Sequence, residues 1–129
     1  MTEPTLRQLQ ERVLQFAAER DWGQFHAPRN VAMALSVEAA ELLELFLWTP
    51  DGDALTPDRR ARVADEAADV LMCLLNLAAR ANIDLPAALD EKLRRAELKY
   101  PVDRVKGRSL KYDEYPEWVP TQDPDRKAP

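Results

Sequence analysis

The sequence predicts an all-α domain, and three observations carry that expectation. No stretch alternates apolar and polar residues as a half-buried strand does. Glycine occurs only at Gly23, Gly52 and Gly107 among 129 residues, too rarely for a chain of hairpins. Two long runs, Val31 to Trp48 (VAMALSVEAAELLELFLW) and Val63 to Ala81 (VADEAADVLMCLLNLAARA), are apolar nearly all round and read as helices buried on more than one side.

Thr5 caps a first helix that runs to about Arg20, with Leu6, Leu9, Val13, Phe16 and Ala17 on one face. Asp21 to His26 forms a loop. Pro28 suits the first turn of a second helix, which ends before Pro50. Thr49-Pro50-Asp51-Gly52-Asp53 is a dense turn signal. Thr56 caps the third helix with Pro57 at its first position, and the helix ends near Asn82. Asp84 caps a fourth, with Pro86 in its first turn, and Pro101 stops it at Tyr100. From Val102 onward helical periodicity is lost, which predicts an extended arm followed by a flexible tail. The expected division is a domain over residues 1–115 and a proline-rich tail over 116–129. Four helices suggest a small bundle. Two of them are too apolar for one chain to cover, so a homo-oligomer, dimer or tetramer, is expected.

At 46% hydrophobic and 32% charged residues the chain is globular rather than disordered. A net charge of −5 argues against a surface for a nucleic acid polymer, which needs a basic stripe. It leaves open a small nucleotide, because a bound cation inverts the local field. One cysteine, Cys73, excludes an intramolecular disulfide and a cysteine-rich zinc site. The N-terminus shows no secretory pattern, and the longest uncharged apolar stretch, Val70 to Ala79, is about half a membrane span. A cytoplasmic protein without membrane attachment is the expectation.

The chemistry centres on Glu38-Ala39-Ala40-Glu41 and its echo Glu66-Ala67-Ala68-Asp69. Residues three apart lie about 60° apart around a helix, so each pair can face one spot. Such acids can be solvated helix-face charges, since the spacing is common by chance. In runs this apolar, however, uncompensated carboxylates carry a heavy desolvation cost. Four carboxylates with no histidine or cysteine form a hard, oxygen-rich set suited to Mg²⁺, with Mn²⁺ also possible, rather than zinc or copper. A di-iron bundle would require a Glu-x-x-His pair on each of two helices, and the sole histidine, His26, is in neither run.

Mg²⁺ usually retains waters and substrate phosphates, so phosphate chemistry is the natural partner of such a site. Cations follow the acidic helices: Lys92, Arg94, Arg95, Lys99, Arg104, Lys106, Arg108 and Lys111. Most read equally as solvated surface charges; Lys99-Tyr100-Pro101 stands out, with a cation and an aromatic together at a helix end. Trp22, His26, Trp48 and Tyr100 also sit at helix ends. They either plug termini and brace loops or stack on a base.

These residues together bring a family into view. The chain resembles the MazG-like all-α nucleoside triphosphate pyrophosphatases, and within them the dCTP pyrophosphatase branch. The resemblance rests on Arg20-Asp21-Trp22, Phe25-His26-x-Pro28-Arg29-Asn30, Glu38-x-x-Glu41-x-x-Glu44-Leu45-Phe46-x-Trp48, Asp65-Glu66-x-x-Asp69-Val70-Leu71, Lys99-Tyr100-Pro101 and Lys111-Tyr112, over residues 5–115. It implies a bundle assembled across subunits of a homo-oligomer. It also implies Mg²⁺-dependent hydrolysis of a nucleoside triphosphate, such as dCTP or a base-modified dCTP, between its α and β phosphates. By that likeness Glu38, Glu41, Glu66 and Asp69 hold the metal, and Glu38 or Glu41 also acts on the attacking water. Trp22, His26, Trp48 and Tyr100 surround base and sugar, while Lys92 and Lys99 face the phosphates. Lys111 and Tyr112 are candidates for a lid.

The chain departs from the branch at Ala96, where an asparagine is usual, and at Cys73, where relatives often carry tyrosine. The first departure leaves base preference open to dUTP or a purine triphosphate. A non-enzymatic helical binding or regulatory module is the rival of a different class, and the retained acids weigh against it. A purely structural oligomer would leave those acids without a counter-charge.

Overall fold

The computed structural model describes residues 2–50, 52, 54–118 and 123–126. Every regular element among them is helical. The chain divides into two compact units, residues 1–83 and 84–129.

The first unit holds α1 (Leu6–Glu19), a 3₁₀ turn (Trp22–Phe25), α2 (Pro28–Glu44) and α3 (Pro57–Arg80). Thr5 closes the start of α1 reciprocally: its hydroxyl accepts from the Gln8 amide at 3.2 Å, and the Gln8 side chain accepts from the Thr5 amide at 2.8 Å. This capping box satisfies two N–H groups that the helix itself leaves unpaired. Pro28 and Pro57 stand at the first positions of α2 and α3, where a missing N–H costs nothing. Thr56 caps α3, its hydroxyl accepting from the Arg59 amide.

The centre of this unit is α3, which packs against both α2 and α1. Its residues Leu75, Asn76 and Ala78 are buried, as are Ala17 of α1 and Val31 of α2. The Gln10 side-chain amide of α1 donates to the Leu75 carbonyl at 2.9 Å, tying the two helices with a polar contact.

One boundary differs from the sequence expectation. The second helix stops at Glu44, one turn short of the Pro50 limit, and tightens into i→i−3 bonds through Thr49. Arg59 accounts for this ending: its guanidinium donates to the Leu45 carbonyl and the Thr49 hydroxyl, both at 3.0 Å. Trp48 takes up the reversal with φ of +61°. As expected of a helix too apolar for one chain to cover, α2 is not buried all round. Met33, Val37 and Leu43 are each more than half exposed on it.

The second unit holds α4 (Leu85–Lys99), α5 (Val102–Val105) and a 3₁₀ turn (Tyr112–Glu114). Asp84 caps α4 by accepting from the Ala87 amide at 3.1 Å. The arm expected beyond Tyr100 is therefore not simply extended. Pro101 ends α4 but its carbonyl starts another turn, accepting from the Val105 amide at 3.1 Å. Tyr115 is buried, and its hydroxyl accepts from the Leu110 amide and donates to the Arg108 carbonyl. A helical period is not needed for order when one aromatic gathers the backbone of a loop.

Candidate active site

The packing of α2 on α3 brings the two acidic pairs to one place. Carboxylate oxygens of Glu38, Glu66 and Asp69 all lie within 4.8 Å of one another. Glu41 stands beside them, more exposed, and raises the proton affinity of both Glu38 and Glu66. With Glu44 and Arg62 it forms the wall of an open cleft that Glu66 also lines. Among the described residues none of the four acids makes a salt bridge.

The electrostatic consequence is a proton affinity above the carboxylate norm. Partial burial is the first cause at Glu38, followed by the charges of Glu41 and Asp69, a hydrogen bond shared with Glu41, and Glu66. Burial again leads at Glu66, followed by Glu41, Asp69, the contact with Glu41, and Asp65. Two carboxylates can share a hydrogen bond only if one keeps its proton, so crowding and burial act in one direction. Moreover, Glu66 Oε2 is buried with no hydrogen-bond partner among the described residues. A buried, unpartnered acceptor within a cluster of hard oxygen donors is what a divalent cation would satisfy. The residues present fit Mg²⁺ or Mn²⁺.

Next to the acids lies an apolar cavity of about 260 Å³ lined by Phe16, Trp22, Phe25, His26, Met72, Cys73, Asn76 and their neighbours on α1 and α2. Trp22 meets Phe16 edge-on, with centroids 5.7 Å apart. Asn30 anchors the loop by donating to the Phe25 carbonyl at 3.1 Å. Cys73 joins the two regions: it lines the cavity, yet its thiol is held above its usual pKa by burial and then by the charges of Glu38 and Asp69. It is therefore a poor thiolate and acts as packing.

The sequence-predicted residues divide accordingly. Trp22 and His26 line the cavity, whereas Trp48 is 98% exposed, beyond the end of α2. Lys92, Lys99 and Tyr100 belong to the second unit, where acids of the last segment already engage the cations. Lys99 pairs with Asp125 and with Asp123 (3.5 Å), and its ammonium lies 4.4 Å from the centre of the Tyr112 ring. Lys92 reaches Asp125 at 3.7 Å and Arg95 reaches it at 2.8 Å. The Tyr100 hydroxyl accepts from the Tyr112 amide at 3.3 Å. The hydrogen bond from Lys99 holds the Asp125 carboxyl below its ordinary range, and the same bond raises Lys99 against the opposing effect of burial.

Sequence reasoning missed Asn76, Arg80, Phe16 and Phe25 as parts of the site. The signal for Asn76 was present: an amide inside an otherwise apolar run must find a partner if it is buried.

The site thus combines, in an all-helical unit, a carboxylate cluster that could bind a divalent cation with a neighbouring aromatic-lined cavity. Comparison with known proteins narrows the reading. The MazG-like family model matches residues 33–115. The chain is 44% identical to dCTP pyrophosphatase 1 of Bos taurus over 119 residues, covering 89% of this chain and 70% of the relative. It is 42% identical to dCTP pyrophosphatase 1 of Homo sapiens over 125 residues, covering 94% and 74% respectively. Among solved structures, a pyrophosphatase from Archaeoglobus fulgidus superposes with a TM-score of 0.71 at 36% identity, covering 78% of this chain and 96% of that one. The chain belongs to the MazG-like family.

Proposed function

We propose that this protein is a nucleoside triphosphate pyrophosphohydrolase that hydrolyses dCTP or a base-modified dCTP between the α and β phosphates, clearing the nucleotide pool. The observation that carries the reading is the convergence of Glu38, Glu66 and Asp69 within 4.8 Å, with Glu66 Oε2 left unpartnered. The resemblance to dCTP pyrophosphatase 1 over most of the chain supports the substrate class. Glu38, Glu41, Glu66 and Asp69 would hold Mg²⁺ or Mn²⁺, which when bound would supply positive charge to the triphosphate.

The chain's own residues do the rest. Glu38 or Glu41 orients the attacking water and takes its proton. Burial and the neighbouring carboxylates raise the proton affinity of Glu38, the direction a base requires. As the water oxygen bonds to the α phosphorus, the bond from that phosphorus to the bridging oxygen breaks and pyrophosphate departs. The cavity of Trp22 and His26 receives the base, with Cys73 marking its border with the acids. Trp48 and Tyr100 complete the surroundings of base and sugar, and Lys92 and Lys99 serve the phosphates. The apolar residues left exposed on α2 support assembly into a homo-oligomer in which neighbouring subunits complete the bundle and bring these residues to the site. Residues 1–115 form the catalytic domain in this reading, and the segment after it carries the acids that rest on Lys99. Among the described residues no single helix is long and apolar enough to cross a membrane.

Pyrophosphate release from a panel of canonical and 5-modified nucleoside triphosphates, with Mg²⁺, Mn²⁺ and EDTA in parallel, tests this. Metal-dependent release strongest with deoxycytidine triphosphates is the expected outcome. Release from another base would keep the chemistry and move the preference, with Ala96 the first position to revert to asparagine. No release from any nucleotide refutes the enzyme.

A further inference from the structure

Two polar residues of the cavity lining, His26 and Asn76, form a hydrogen-bonded chain with Arg80. Asn76 is only 7% exposed, the one buried polar residue among the described residues. Its amide group sits between Arg80, whose Nε is 3.2 Å from Oδ1, and His26, whose Nδ1 is 3.0 Å from Nδ2. A guanidinium has donors and no acceptor. Arg80 therefore dictates which way the Asn76 amide faces: Oδ1 toward the guanidinium, Nδ2 toward the histidine. An amide NH₂ has only hydrogens to offer, so the imidazole Nδ1 must accept. In the neutral ring the proton is then on Nε2. No other hydrogen bond to the His26 ring is found among the described residues, and both His26 and Asn76 line the cavity.

We propose that Asn76, held by Arg80, is a positioning residue that fixes His26 as its Nε2–H tautomer, so that the cavity offers a hydrogen-bond donor and selects bases with an acceptor at the matching edge. A pyrimidine with an unprotonated ring nitrogen beside a carbonyl, as cytosine has at N3 and O2, satisfies this donor. One carrying N–H at N3, as uracil does, opposes it. The inference rests on the reading that this cavity receives the base. It places discrimination in a residue that never has to touch the nucleotide. A site built around one hydrogen bond rejects a mismatched ligand strongly, because the mismatch leaves buried polar groups unpaired.

The test uses the fact that His26 is the only histidine, so the imidazole nitrogen spectrum reports one ring. In the full-length protein at neutral pH the ring should show a single Nε2–H tautomer. Asn76→Asp replaces the donor by an acceptor, while Arg80 still has a partner, and should move the proton to Nδ1. Arg80→Leu releases the amide to flip and should give a mixture of tautomers, which keeps the test available if the aspartate variant does not fold. The binding arm compares deoxycytidine and deoxyuridine monophosphates by perturbation of the His26 nitrogens. The wild type should favour the former by roughly tenfold, and the aspartate variant should lose or reverse that preference.

A wild-type ring protonated at Nδ1, or exchanging between tautomers, overturns the proposal. So does a base preference that survives Asn76→Asp, or wild-type protein that binds neither monophosphate. The outcomes separate from those of the enzymatic reading. Selective binding with the Nε2–H signature but no pyrophosphate release sinks hydrolysis and upholds the relay. Pyrophosphate release with a base preference indifferent to Asn76 does the reverse.

Discussion

Two charged clusters in this chain have opposite constitutions. In the first unit Glu38, Glu41, Glu66 and Asp69 gather with no ion pair among the described residues. In the second, Lys92, Arg95 and Lys99 gather with Asp123 and Asp125, and each charge finds its opposite. Desolvation acts on both. At Glu38 and Glu66 the neighbours reinforce it, and proton affinity rises. At Asp125 the hydrogen bond from Lys99 outweighs it, and proton affinity falls. A cluster that is complete in itself has a structural explanation. One that holds unfavourable charge needs a ligand to account for it.

The largest expected effect breaks the first cluster chemically. Glu38→Gln should lower kcat by about a thousandfold, since several kcal/mol of charge stabilisation at 1.36 kcal/mol per decade is at stake. A steady-state assay at saturating Mg²⁺ checks it, and retention of wild-type kcat would remove Glu38 from the mechanism. Next in size is Trp22→Ala. The loss of an aromatic face for the base should raise KM by about ten- to a hundredfold, with a smaller change in kcat.

The third prediction is thermodynamic and concerns the metal-free protein. The raised pKa values of Glu38 and Glu66 mean that the folded state binds more protons than the unfolded one above the ordinary carboxylate value of 4.5. Stability should fall as pH rises from there through the raised values. In the second unit Asp125 carries the opposite sign, whereas Lys99, raised like the two glutamates, carries the same one. Asp125 contributes stability above its unfolded value and loses it as pH falls through the lowered one. Lys99 contributes at all pH values below its ordinary 10.5 and loses its contribution only as pH rises through the raised value. Glu66→Gln should thus raise the Tm of metal-free protein near neutrality and flatten its pH dependence on the alkaline side of 4.5. An unchanged Tm profile would show that the acids do not strain the fold. The smallest effect is expected from Asp125→Asn. It deprives Lys92, Arg95 and Lys99 of a partner and should alter KM by only about two- to fivefold, the scale of a single weak ion pair.

The same contrast separates what was legible in the sequence from what was not. Thr5, Pro28, Thr56, Pro57 and Asp84 act within one turn of themselves, and each stands where its helix begins. The acidic pairs were legible because their spacing and apolar setting are local properties, and two packed helices leave them few other arrangements. Arg59 was not, because its hold on Leu45 and Thr49 spans a turn whose path no local signal gives. Nor was the contact between Asn76 and His26, fifty residues apart in sequence. The order around Tyr115 escaped as well, since a single buried ring leaves no period to read.

The most direct measurement of the central claim is a Mn²⁺ titration followed by the free-ion electron paramagnetic resonance signal, on wild type and Glu66→Gln in parallel. The account predicts that wild type depletes the signal saturably, that Mg²⁺ competes for the same sites, and that the variant binds far more weakly. Equal depletion by both proteins, or none by wild type, would contradict the assignment of the acid cluster as a metal centre.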